Sequence, residues 1–255
     1  MAESLFFVDY GTGTAIVLLH AFALDHRIWL NVAEKMKENA RMILPDLRGH
    51  GRSPAPQENY TMRGMAEDIV KVMDDLSIEK AVLAGNSMGG YVSLAFAQHF
   101  PDRLAGLALV ASHVYADPAE KRASRLDEME KLKKKPVSEV LSAMPGKLSR
   151  IPRMVEFCRE MISMNNPDGM IGALAAMAER PDMSDIFAVL PVPALIIAGQ
   201  EDQFIPIEQS RRMTELMKKP SLVEIPEAGH LPMLDQPQLT YRALRDFLNE
   251  IERRL

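Results

Sequence analysis

The chain has 255 residues, 47% hydrophobic and 25% charged, which is enough to bury one large core without disulfides or a structural metal. A net charge of −5 argues against a nucleic-acid partner, which demands a basic face to displace counterions. One cysteine, Cys158, rules out an internal disulfide and a multi-cysteine zinc site, and suits a reducing compartment.

The first residues, Met1 to Asp9, carry an acidic residue where a secretory signal would carry lysines. No stretch reaches the ~18 apolar residues of a membrane span. The expectation is a soluble, cytoplasmic protein without a membrane partner. Gly11-Thr12-Gly13-Thr14 precedes a strand rather than following one and lacks a third glycine, so it reads as a hairpin turn, not a phosphate loop. Six apolar runs then mark strands at Ala15–Leu19, Met42–Leu44, Ala81–Ala84, Leu104–Val110, Ala194–Ala198 and Leu222–Ile225. Most are unbroken, as in strands covered on both faces. Helices separate most of them. Met62, Met65, Ile69, Val72, Met73 and Leu76 form a stripe behind an N-cap at Thr61, and Leu244, Phe247, Leu248 and Ile251 form another, entered through Pro237. The alternation predicts an α/β protein with a mostly parallel sheet and helices on both faces.

Residues 114–190 break the alternation. They show helical segments punctuated by prolines and no convincing strand, which predicts a helical cap inserted between core segments 1–113 and 191–255. Eight of the 18 methionines fall there, and the Lys131–Lys135 run reads as a solvated helix end. Most of these methionines read as helix core; any facing a pocket would give it an adaptable apolar lining. His113, Tyr115, Met144 and Met161 are the candidate substrate-binding wall. With few clustered positive charges, the cap should favour apolar over polyanionic groups.

The chemistry concentrates at Gly85-Asn86-Ser87-Met88-Gly89-Gly90, which follows one strand and opens a helical stretch ending at Phe100-Pro101. A serine with glycines two residues either side suits a tight strand-to-helix turn, because glycine removes the Cβ clashes there. By composition this pattern is expected only about 0.04 times in such a chain, so chance is a poor explanation. A serine nucleophile requires a base and an orienting acid, and behind a serine on such a strand-to-helix turn they are expected in the order acid then histidine. Asp202 and its neighbour Glu201 lie just past the strand ending at Ala198, and His230 just past the one ending at Ile225, where open parallel sheets put their sites. No histidines or carboxylates recur at metal-ligand spacing, so neither a metal nor a cofactor is expected.

These motifs resemble the α/β-hydrolase fold family, in its serine-nucleophile esterase and lactonase branch with a helical cap. Leu18-Leu19-His20-Ala21-Phe22, Pro45 to Ser53, the serine turn, Gly199 to Asp202 and Gly229-His230 carry the resemblance in order. It implies Asp202 as the acid and the Phe22 and Met88 amides as an oxyanion hole; Asp46 to Ser53 would fix a nearby loop. The chain departs from the family's usual His-Gly at His20-Ala21, which bears on Phe22's placement. The expected activity is hydrolysis of carboxylic esters of small, largely apolar substrates through an acyl-enzyme. Some relatives place the acid one strand earlier, where Asp117 is the nearby carboxylate. An enol-lactone or other lactone hydrolase is the main rival. A cofactor-free perhydrolase could use the same triad, and a ligand receptor on this scaffold could retain it. A C–C bond hydrolase is less expected, because Leu231 rather than tryptophan follows His230 and the one tryptophan is Trp29. The expected partner is a small-molecule ester or lactone, and the expected assembly a monomer or homodimer.

Overall fold

The computed structural model describes residues 4–217, 219 and 221–254. Seven strands form one sheet in the order β1-β3-β2-β4-β5-β6-β7. They are β1 (Phe7–Tyr10), β2 (Ala15–Leu19), β3 (Arg41–Pro45), β4 (Ala81–Asn86), β5 (Leu104–Val110), β6 (Ala194–Gly199) and β7 (Leu222–Ile225). β1 runs antiparallel to β3 and every other pair is parallel. Every residue of β2 and β4 is buried, as strands with both faces covered must be.

The six strands read from apolar runs are all present, three of them extended by one or two residues. β1 escapes that reading because Phe-Val-Asp-Tyr is short, carries a charge and is only half-buried at the sheet edge. Its pairing also corrects the hairpin expected at Gly11–Thr14. β1 lies beside β3, so this turn joins strands that are not neighbours. The turn signal is local, whereas β1's partner arrives some thirty residues later.

Before β5 lie α1 (Leu30–Met36), α2 (Met62–Asp75) and α3 (Met88–His99). The Thr61 hydroxyl caps α2 by accepting from the Gly64 N–H, as its sequence position predicts. Between β5 and β6 come α4 (Ala119–Leu132), α5 (Val137–Val140), α6 (Pro145–Leu148), α7 (Pro152–Ser163), α8 (Pro167–Ala178) and α9 (Ser184–Ala188), with no strand among the described residues. Pro145, Pro152 and Pro167 each open a helix, where the missing N–H costs nothing. The Met183 N–H donates to the Val114 carbonyl at 2.7 Å and ties the two ends of this stretch together. The chain closes with α10 (Ile207–Thr214), α11 (Pro232–Asp235) and α12 (Pro237–Glu252). α1 packs on α12 and α2 on α3; α3 lies on β4 and β5, and α12 reaches β5 to β7. No helix among the described residues is long and apolar enough to cross a membrane.

Candidate active site

Ser87 occupies the turn between β4 and α3 with φ 51° and ψ −112°, left-handed backbone that a non-glycine residue adopts only under constraint. The constraint is visible. Its N–H donates to the Val110 carbonyl at 3.0 Å, and its carbonyl accepts from the Ser112 hydroxyl at 2.8 Å. A Cβ on Gly85 would stand 2.2 Å from the Gly89 carbonyl oxygen, and one on Gly89 2.6 Å from that of Leu19. Strand and helix therefore meet this closely only because both positions are glycine.

The histidine loop follows β7. His230 Nδ1 lies 2.8 Å from Asp202 Oδ2, with the two side chains 4% and 1% exposed. Asp202 Oδ1 also accepts from the Phe204 and Ile205 amides at 2.8 and 3.1 Å, which fixes the carboxylate. A carboxylate only accepts, so His230 carries its proton on Nδ1 and leaves Nε2 as the basic nitrogen. Glu201 instead pairs with Arg150 at the surface. Asp117 is equally committed elsewhere, because Arg125 and Arg180 both bind its carboxylate. Burial pushes the Asp117 carboxyl up, but the two guanidinium groups outweigh it and hold it at about 2.

Ser87, His230 and Phe22 line one cavity of about 480 Å³ between the sheet and α4 to α8. Ser87 and His230 both face it, without a direct hydrogen bond between them among the described residues. Met88 opens α3, so its N–H is one of the amides that a helix leaves without an internal partner. Phe22 sits in the loop after β2. That loop is pinned through His20, whose Nδ1 contacts the Ala21 carbonyl and whose Nε2 accepts from the Leu47 N–H, both at 2.8 Å. The His50 ring packs edge-on to Phe22 at 6.0 Å. The Asp46–Ser53 segment thus buttresses the Phe22 loop. Ala21 in place of glycine brings no left-handed strain, because the positive φ falls at Ala23.

Of the expected wall, His113, Tyr115 and Met144 line the cavity and Met161 does not. Met161 is buried on the inner face of α7, where helix core wins over pocket. His113 Nδ1 accepts from the Tyr115 N–H at 3.2 Å, which leaves Nε2–H to donate to the Tyr91 hydroxyl, also at 3.2 Å. Burial and the neighbouring Arg180 charge push its pKa down to about 4. Tyr91 and His113 form the wall toward a second cavity of about 410 Å³, lined largely by apolar atoms of α2, α3 and α8.

Two features lay outside the sequence reading. Asn86 Nδ2 donates to the Val110 and His230 carbonyls at 3.0 and 3.1 Å and so ties the serine turn to the histidine loop. The Leu148 carbonyl accepts from the His230 N–H at 3.0 Å, clamping that loop from α6. The second feature corrects the expectation of an apolar cavity with few clustered cations. Lys121, Arg125, Lys147 and Arg212 line it, against Asp117 and Glu128. The signal was the spacing of Lys121, Arg125 and Glu128, which puts all three on one face of α4.

Asp25, His26 and Asp46 bring one donor atom each within 4.8 Å of one another. Their bonds are structural: Asp25 holds Arg27, and Asp46 accepts from the His26 ring and the Arg52 amide.

The sequence model of the alpha/beta hydrolase family matches residues 16–243. Among solved structures, the chain is similar to a thermophilic esterase from Thermogutta terrifontis, solved with malate bound. That likeness has a TM-score of 0.94 and 36% identity, and covers 97% of this chain and 93% of that one. It is similar to the enol-lactonase from Burkholderia xenovorans at a TM-score of 0.88 and 25% identity, covering 96% of each chain. It is also 26% identical to the 2-hydroxy-6-oxo-2,4-heptadienoate hydrolase of Pseudomonas putida, over 94% of this chain and 91% of that protein.

Proposed function

The chain belongs to the alpha/beta hydrolase family and is a hydrolase; we propose that it is a serine hydrolase cleaving carboxylic esters through an acyl-enzyme. The observation that carries this reading is Ser87, held in left-handed backbone on the same cavity as a His230 already oriented by Asp202. His230 Nε2 takes the Ser87 hydroxyl proton as Oγ attacks the ester carbonyl, and Asp202 stabilises the resulting imidazolium. The Phe22 and Met88 amides hold the oxyanion. His230 returns the proton to the leaving alkoxide, and a water activated by the same nitrogen then releases the acid. Removing one oxyanion donor in a comparable site costs roughly 3–4 kcal/mol, so the hole is a major contribution.

The cap, proposed as residues 114–190, supplies one wall and the catalytic groups none, so it selects the substrate. The likeness to an enol-lactonase favours lactones as a second class, since a lactone is a cyclic ester open to the same attack.

The test is Ser87→Ala on a series of 4-nitrophenyl esters, with an activated phosphonate as label. Ser87→Ala abolishes turnover while the thermal melt is retained, and the phosphonate modifies Ser87 alone. Substantial turnover of a short ester by the variant overturns the reading.

A further inference from the structure

Three cations that line this cavity, Lys121, Lys147 and Arg212, stand without an ion-pair partner among the described residues. On and just after α4, Lys131 pairs with Asp127, Lys133 with Glu130 and Lys135 with Glu139, while Lys134 forms no ion pair among the described residues. Of the α4 cations, Arg122, Arg125 and Lys131 are paired, and the cavity-facing Lys121 is not.

The carboxylates at hand do not cancel the excess. Asp117 is shared between Arg125 and Arg180. Glu128 faces the cavity half-buried, and burial lifts its carboxyl above the ordinary range. Desolvation at the cavity and the nearby Arg125 and Lys147 charges outweigh Glu128 and Asp117 and pull the Lys121 ammonium below the ordinary lysine range. A local positive mouth on a chain of net charge −5 is not a by-product of overall composition.

One of the bare cations is linked through a ring to His230, and a second through a ring to the His113 wall of the cavity. The Lys121 ammonium lies 5.9 Å from the Phe204 ring centroid, and Phe204 packs 4.9 Å from His230. The Arg212 guanidinium lies 5.6 Å from the Tyr115 ring, which stacks on His113 at 5.9 Å. Lys121 comes from the cap and Arg212 from the core, so one group bound between them would bridge both parts.

The geometry points to an anion subsite: the physiological substrate is an ester carrying a free carboxylate a few carbons from the scissile bond, held by Lys121 and Arg212 with Lys147 adding to the field. This rests on the ester-hydrolase reading for its chemistry, while the subsite itself is a binding claim. All three cations are solvent-exposed, so each contributes modestly and the sum is sensitive to salt.

The test compares 4-nitrophenyl hemiglutarate with 4-nitrophenyl pentanoate, which match in acyl length and differ in the terminal carboxylate. The native protein favours the hemiester by roughly tenfold in kcat/KM at low salt, expressed in KM, and the preference shrinks as salt is added. Lys121→Gln combined with Arg212→Gln brings the ratio of the two esters to about one, whereas Lys131→Gln, outside the cavity, leaves the ratio unchanged. A parallel measurement uses Ser87→Ala, which cannot turn over, and follows glutarate binding by calorimetry. Loss of that binding in the background of the double substitution supports the subsite even if no ester is hydrolysed, a result that would sink only the hydrolase reading. Equal or better use of the neutral ester by the native protein overturns the subsite, as does a ratio unmoved by the double substitution.

Discussion

At the residue scale the deciding contrast is between two aspartates that both lie near the cavity. Asp202 spends one oxygen on the His230 imidazole and the other on two backbone amides. Asp117 spends its carboxylate on Arg125 and Arg180, and the Arg180 and Asp117 side chains are each 4% exposed. The two substitutions should therefore fail differently. Asp202→Asn should lower kcat by ~10⁴, the cost seen when a triad aspartate loses its charge, and leave the melting temperature nearly unchanged. Asp117→Asn should instead leave Arg180 as a buried charge without an anionic partner, a loss of about 3–5 kcal/mol of stability. Steady-state kinetics with a denaturant titration on each variant separates the cases. Near-normal turnover in Asp202→Asn would remove it from the proposed mechanism. Both residues sit after strand ends in the sequence. What no sequence position reveals is that Arg180, some sixty residues on, claims Asp117 first.

At the element scale, α8 meets the loop after β3 through backbone as well as side chains. Gly169 near the start of α8 lies against Gly49, whose φ of +76° already demands glycine. A Cβ on Gly169 would stand 2.6 Å from the Gly49 Cα and 2.2 Å from its carbonyl oxygen. Gly169→Ala should thus push α8 outward, costing about 1–3 kcal/mol as an overpacked contact. It should also change the kcat/KM for esters, because α8 carries Met177 of the cavity wall. Gly146→Ala is the matched comparison, since a Cβ there meets nothing within 4 Å, and its melt should be unchanged or raised. Equal melting temperatures for the two variants would refute the contact. The sequence made the helical nature of this stretch legible through its prolines and absent strands. It did not reveal which helix face turns inward. Lys121, Arg125 and Glu128 form a stripe that suits solvent as well as a cavity, and only the seating of α4 on α8 decides between them. Met161 shows the converse, since an apolar residue on a cap helix fits a core as readily as a pocket.

At the scale of the whole molecule, the convergence of Ser87, Asp202 and His230 was legible because a parallel sheet forces chain order onto strand ends, and β1 was not because edge pairing is settled far along the chain. The same packing that positions the site also buries three further histidines, and this sets how the fold responds to acid. Burial pushes the pKa of His20 down, that of His50 down to about 3, and that of His113 down to about 4. Each stays neutral in the folded protein while its unfolded counterpart takes up a proton near pH 6.5. The unfolded chain therefore binds more protons below that value, and stability falls with pH. For His113 the loss runs from about 6.5 to about 4, and for His50 on to about 3, at ~1.4 kcal/mol per pH unit for each group. Asp117 adds a loss of the same sign only at lower pH, between the unfolded carboxyl value and about 2. Glu128 and Asp235 act in the opposite sense, because burial lifts their pKa and protonation relieves them. The three histidines, all acting in one sense, set the expected direction from neutral pH down to about 5. Urea unfolding at pH 7, 6 and 5 should show the free energy dropping by several kcal/mol over that range, with a slope steeper than one histidine gives. A free energy flat between pH 7 and 5 would mean that His20, His50 and His113 are not held neutral by the fold.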